Sequence, residues 1–148
     1  MRSQFAMCKG CDAKCCKIVA PFIFGFEREK FSSSLVFHKL EDKKIPLLKK
    51  KGKNCAFLKN NKCKIYQTRP FNCRIFPFDI TKVGKNFYWI VWDFCQKPKD
   101  AEKHLKNFEK VIAKIDKKEL NIYICFTKKS KDFRHRQFAI LRQVRWPK

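Results

Sequence analysis

The stretch Cys55-Ala56-Phe57-Leu58, running on through Cys63-Lys64-Ile65-Tyr66 to Arg69-Pro70-Phe71-Asn72-Cys73-Arg74-Ile75-Phe76-Pro77, decides how this chain folds. Its three cysteines stand on short turns: Asn60-Asn61 is a turn signal, and Pro70 and Pro77 fix two more. Working outward, Cys8, Cys11, Cys15 and Cys16 crowd together upstream, and Cys95 follows downstream. Thiolates are soft ligands that suit zinc, copper(I) and iron–sulfur clusters. Two of them three residues apart, as in Cys8-x2-Cys11, reach one ion from a tight turn. The vicinal pair Cys15-Cys16 is different. Neighbouring Cα atoms lie about 3.8 Å apart across a trans peptide, closer than ordinary disulfide geometry allows. Their Cβ vectors diverge, so the two thiolates serve different metals, or one metal and a neighbouring site. Of the nine cysteines, eight would fill two four-thiolate sites, or one cluster with spare thiols beside it. The ninth, Cys125, sits in an apolar run and reads as structural.

The second group carries more than cysteine. Residues 63–77 spell C-x-I-Y-x-x-R-P-x-x-C-R-x-F-P. With the vicinal pair upstream, this resembles the CxxCxxCC, or YkgJ-type, cysteine-cluster family of zinc- or iron-chelating domains. The resemblance spans roughly residues 8–95 and implies Cys8, Cys11, Cys15, Cys16, Cys55, Cys63 and Cys73 as metal ligands. Cys95 matches less directly, because Gln96-Lys97-Pro98 stands where the family often has Pro-Gly. The family name also implies two residues before the vicinal pair, whereas Asp12-Ala13-Lys14 makes three. Among the other motif residues, Tyr66 can pack its ring on a cluster and donate its hydroxyl. Arg69 and Arg74 can offset thiolate charge and donate N–H groups to sulfur; salt bridges or turn carbonyls would use the two arginines equally well. Some larger relatives are protein lysine methylases. This chain is short and shows no Gly-rich loop of the kind that cradles nucleotide phosphates, so enzymatic activity stays open.

All-cysteine sites accept both zinc and iron–sulfur clusters. The three histidines, His38, His104 and His135, are isolated and read as surface residues. The crowding of thiols favours an iron–sulfur cluster, 4Fe–4S first, over Zn2+.

Charge adds a second theme. With 36 Lys and Arg against 13 Asp and Glu, the formal charge is +23. Such a field attracts polyanions, RNA or an acidic protein, and a basic zinc-stabilised nucleic-acid-binding protein is the alternative function. The Lys43–Lys53 segment, read as an exposed basic loop, and the tail with Phe133, Arg134, Arg136, Phe138, Arg142, Arg145 and Trp146 point the same way. The N-terminus lacks the apolar core of a signal peptide, and no run is long enough to span a bilayer. We therefore expect a cytoplasmic protein with reduced thiols; the odd cysteine count also argues against a closed disulfide framework.

The expected fold is α+β: a small metal-stabilised domain with cysteine-rich loops, an antiparallel hairpin or small sheet, and one amphipathic helix. Residues 1–97 would form the metal-chelating part and 98–148 a basic helix–strand extension packed on it. Phe76, Phe78 and Ile80, then Phe87, Trp89 and Val91, alternate around Gly84 as a hairpin. Ala101, Leu105, Phe108, Ile112 and Ile115 step along one helix face, with Asp100 as N-cap. Residues 17–24 read as a buried strand, 27–40 as a weak helix and 121–126 as a further strand. No internal repeat is evident.

Overall fold

Period-2 alternation builds the largest sheet where expected. The computed structural model describes residues 14–18, 20–93, 98–130, 133 and 136–147, and its chain divides into two compact units, residues 1–74 and 75–148. Helices and small antiparallel sheets make the fold α+β.

In the first unit, a short helix α1 (Lys14–Ile18) precedes two 3-10 segments at Gly25–Glu27 and Glu29–Ser34. The helix expected over 27–40 is thus a 3-10 segment followed by a strand, as the serine run disfavours a longer helix. Three antiparallel hairpins follow in tandem: β1 (Leu35–Leu40) with β2 (Lys43–Leu48), β3 (Lys50–Lys51) with β4 (Asn54–Cys55), and β5 (Leu58–Lys59) with β6 (Lys62–Cys63). The expected basic loop over 43–53 is therefore two strands and a turn. Ile45, Pro46, Leu47 and Leu48 are buried between the flanking lysines. Residues 21–23 join β2 on its other side: the Ile23 amide donates to Pro46 O at 3.0 Å, and the Leu48 amide donates to Pro21 O at 3.0 Å. Ile23, Phe31, Leu48 and Cys55 form a buried cluster, with Cys16, Leu35, Phe57 and Ile65 packed against it. A 3-10 turn (Tyr66–Thr68) and a short helix α2 (Phe71–Ile75) follow.

In the second unit, β7 (Phe78–Val83) and β8 (Asn86–Trp92) form the expected hairpin, with Ile80 opposite Trp89 and Gly84 at φ +61° in the turn. β9 (Phe138–Gln143) adds to β8 with a register shift at Trp89/Ile90. Helix α3 (Ala101–Ile112) buries Leu105, Phe108 and Ile112 as its spacing predicts. Asp100 precedes it in the left-handed region, but its side chain makes no capping bond. The strand expected over 121–126 is instead part of α4 (Lys117–Lys129), started by Asp116, whose carboxylate accepts the Lys118 amide at 2.6 Å. Leu120, Tyr123, Ile124 and Thr127 are its buried face, spaced i, i+3, i+4, i+7. Cys125 lies half-buried on this helix, apart from the motif cysteines in sequence. Three carbonyl or carboxylate networks tie the unit together. Asp79 is buried and accepts from Trp92 Nε1 at 2.8 Å, the Ile80 amide at 2.8 Å and the Tyr123 hydroxyl. Glu109 accepts from Trp89 Nε1, the Arg142 guanidinium and the Arg145 amide, linking α3 to β9 and the segment after it. Thr127 Oγ1 donates to Tyr123 O at 3.0 Å. Among the described residues, no helix is long and apolar enough to cross a membrane.

Candidate metal centre

Two of the motif cysteines owe their position to hairpin register. In β3–β4, Lys50 lies opposite Cys55 and Lys51 opposite Asn54; in β5–β6, Leu58 lies opposite Cys63 and Lys59 opposite Lys62. Each hairpin is closed at its base by one further bond, Ala56 amide to Lys49 O at 3.1 Å and Lys64 amide to Phe57 O at 2.9 Å. Residues 49–56 and 57–64 are thus consecutive eight-residue hairpins, and each carries cysteine at its seventh position. The repeat is one of backbone, which is why it escapes a search for repeated residues. The turns use different solutions to the same demand for positive φ: Gly52 at +64° in the first, Asn60 at +51° and Asn61 at +57° in the second.

Cys73 is placed by α2, and α2 is pinned from outside. The Glu27 carboxylate accepts the Phe71 amide at the start of this helix, Oε1 at 2.8 Å and Oε2 at 3.3 Å. Asn72 Oδ1 accepts the Phe22 amide at 3.0 Å. Burial pushes the Glu27 carboxyl up, against the downward pull of its amide bonds and of Arg74. Glu27 carries no local signature of this role, since the helix it serves begins forty-four residues further on.

The described motif thiols form one interacting set. Cys16 shares side-chain hydrogen bonds with Cys15 and with Cys63, which raise its own pKa. The same bonds lower Cys15 to about 7 and Cys63 to about 6, with burial opposing and Arg69 assisting in both. Cys55 is raised by burial and further by the charges of Cys63 and Cys15. Cys73 is raised well above the ordinary thiol value, first by burial and then by Cys15, Cys55 and Cys63. The six described cysteines are free thiols. Arg69 acts on Cys15, Cys63 and Cys73 and stands over the Tyr66 ring, its Cζ 3.7 Å from the centroid. Cation–π contact of this kind fixes a guanidinium without using its N–H donors. Arg74 stands over the Phe71 ring at 5.6 Å and exerts its field on Glu27. The geometry therefore gathers Cys15, Cys16, Cys55, Cys63, Cys73, Arg69 and Tyr66; the described interactions of Arg74 are with Phe71 and Glu27. Cys8, Cys11 and Cys95, also expected as ligands, lie outside the described residues, as does His135. His38 is exposed, as expected; His104, also expected at the surface, is half-buried on α3 with its ring stacked on Phe108.

The donor chemistry fits a thiophilic metal: soft sulfur, two thiols with lowered pKa, and a neighbouring cation to balance their charge. Among the described residues, no group of three or more Cys, His, Asp or Glu side chains is placed so that it could hold a metal ion. Cys16 hydrogen-bonds to Cys15 and Cys63, and metal binding there would exchange these S–H contacts for metal–sulfur bonds and release protons.

Thiols grouped on turns within an α+β fold define a cysteine-cluster, metal-binding type of domain. Residues 7–96 match the family CxxCxxCC, described as "putative zinc- or iron-chelating domain", and the chain belongs to that family. No solved structure matches the chain.

Proposed function

We propose that the thiols of the first unit hold an iron–sulfur cluster, 4Fe–4S in form, with four ligands drawn from Cys15, Cys16, Cys55, Cys63 and Cys73 and, from the sequence, Cys8 and Cys11, the remaining thiols standing beside it or serving a second site. The assignment of Cys95 rests on sequence alone. One observation supports the reading: five thiols interact within a single set, enough to supply the four that a 4Fe–4S cluster takes with one to spare. A polynuclear centre uses such crowding. Tyr66 and Arg69 are the residues beside it, Arg69 offsetting thiolate charge, and Arg74 acts one step further out through Glu27. When bound, a cluster of this kind supplies electron transfer, which fits a redox or protein-modifying accessory role in a cytoplasmic setting. The high positive charge supports a second property, a polyanionic partner.

Anaerobic purification followed by an absorbance spectrum and analysis for iron, zinc and sulfide tests this. Iron with matching sulfide and a broad band near roughly 400 nm is expected. Zinc in a colourless protein would replace the cluster by a structural zinc site. Cys63→Ser is expected to lower bound metal, and Cys125→Ser to leave it unchanged; equal loss from both would sink the assignment of the set.

A further inference from the structure

The tandem hairpins have two faces, and the metal reading uses only one. Side chains alternate along a strand, and residues opposite each other share a face. In β3–β4 the face of Cys55 also carries Lys50; in β5–β6 the face of Cys63 also carries Leu58. All four are buried or half-buried. The opposite faces carry Lys49, Lys51, Lys59, Lys62 and Lys64, all exposed, and Lys53 is exposed at the first turn. Lys50, on the inner face, lowers Cys55. The outer lysines do not balance acids: among the described residues, none of these lysines reaches a carboxylate at ion-pair distance. Lys59 and Lys62 even stand directly opposite each other, an arrangement that destabilises a hairpin. Among the described residues this exposed charge has no carboxylate partner, and a phosphate chain can supply the counter-charge.

We propose that the outer faces of the two cysteine hairpins bind single-stranded nucleic acid, with Lys51, Lys59, Lys62 and Lys64 contacting consecutive phosphates. This deepens the reading of a polyanionic partner and rests on it. The phosphate backbone offers repeated charges to a lysine row, and the same unit exposes the aromatic rings of Phe37 and Phe26, 57% and 45% accessible, on which bases can stack. The thiol face holds the hairpins from behind, since two-stranded hairpins this short are marginal alone.

The test is fluorescence anisotropy of a labelled oligouridylate with the metal-loaded full chain across a salt series. A variant with Lys51, Lys59, Lys62 and Lys64 all changed to Gln is compared with one carrying Lys103→Gln, Lys106→Gln, Lys110→Gln and Lys114→Gln on or just after α3, so that net charge is matched. The hairpin variant is expected to weaken binding by an order of magnitude or more and to flatten the log K against log salt slope by about 3; the α3 variant is expected to change both far less. Equal weakening by the two sets would mean unlocalised charge and would overturn the site. Competition by polyglutamate or by phosphatidylserine vesicles as effective as by unlabelled oligouridylate would overturn the nucleic-acid assignment in favour of an acidic protein or a lipid surface. Elemental analysis of the same samples separates the two proposals. Lysine-dependent binding by protein without metal keeps this site and removes the metal centre; metal-loaded protein that ignores oligouridylate does the reverse.

Discussion

At the scale of single residues, Glu27 controls more than its own surroundings. It sits in the 3-10 turn Gly25–Glu27, yet both its carboxylate oxygens accept the Phe71 amide of α2, and α2 carries Cys73 two residues on. A carboxylate at a helix start satisfies an N–H that has no partner within the helix. Glu27→Ala removes that acceptor from a buried site and is expected to cost about 1–3 kcal/mol, read as a shift in the urea midpoint, together with loss of bound metal as Cys73 loses its anchor. Glu27→Gln keeps an acceptor oxygen and should restore most of both. If Glu27→Ala unfolds at the wild-type midpoint, the Phe71 amide has found another acceptor and the anchoring role is wrong. Arg69 is the other residue whose position exceeds its sequence signal. The motif marks it as charged and near cysteine, but only the fold shows that it stands over the Tyr66 ring and exerts its field on Cys15, Cys63 and Cys73.

At the scale of elements, the tandem hairpins invite two substitutions of opposite sign. Gly52 has φ +64°, and a Cβ built there meets nothing within 4 Å. Gly52→Ala therefore carries backbone strain without a clash and is expected to lower stability by about 1 kcal/mol; a loss several times larger would mean the turn packs against something. Lys62→Glu replaces a like-charged cross-strand pair by an opposite one and is expected to raise stability by roughly 0.2–1 kcal/mol while weakening oligouridylate binding. A stability gain with no loss of binding would show that the pair is a chance of composition. The elements also show what the sequence could and could not reveal. The β7–β8 hairpin was legible because alternation persists on both sides of Gly84. Helix α4 was misread because Ile122, Tyr123, Ile124, Cys125 and Phe126 are β-branched, aromatic or small apolar residues, which favour strands locally. The helical period appears only when Leu120 and Thr127 enter the window. Strand β2 was missed because lysines flank it, although Ile45-Pro46-Leu47-Leu48 is apolar throughout. The family is legible from the cysteine motif; the hairpin repeat that presents Cys55 and Cys63 is not, because its signal lies in hydrogen-bond register and in two unlike turns.

At the scale of the whole molecule, pH acts on stability through a few buried groups set within a strongly positive chain. Asp79 is the clearest. Burial raises its pKa to about 6, against the hydrogen bonds from Tyr123, Trp92 and the Ile80 amide that favour the ionised form. A carboxyl with a folded pKa above its unfolded value binds more protons in the folded state, so its contribution is greatest at low pH and is lost as pH rises through about 6. Glu27, also raised, has the same sign. Glu102 and Glu109 oppose it. Hydrogen bonding to Arg142 lowers Glu102; burial pushes Glu109 up, but bonds from Arg142, the Arg145 amide and Trp89 prevail and hold it down. Their stabilisation is present at neutral pH and fades as pH falls through the carboxylate range. His104, lowered by burial, also loses stability as the pH drops below its ordinary value. Rising positive charge pushes the same way. A single pH profile would mix all of these, so the informative quantity is a difference. Going from about pH 7 to about pH 5, the wild type should gain about 1 kcal/mol relative to Asp79→Asn, measured as the change in urea unfolding free energy at each pH. That pH interval lies mostly above the window in which Glu102 and Glu109 titrate, and the comparison at fixed pH cancels His104 and the overall charge. A parallel response of the two proteins would mean that Asp79 stays ionised in the folded state throughout, with the Tyr123, Trp92 and Ile80 donors outweighing the cost of its burial.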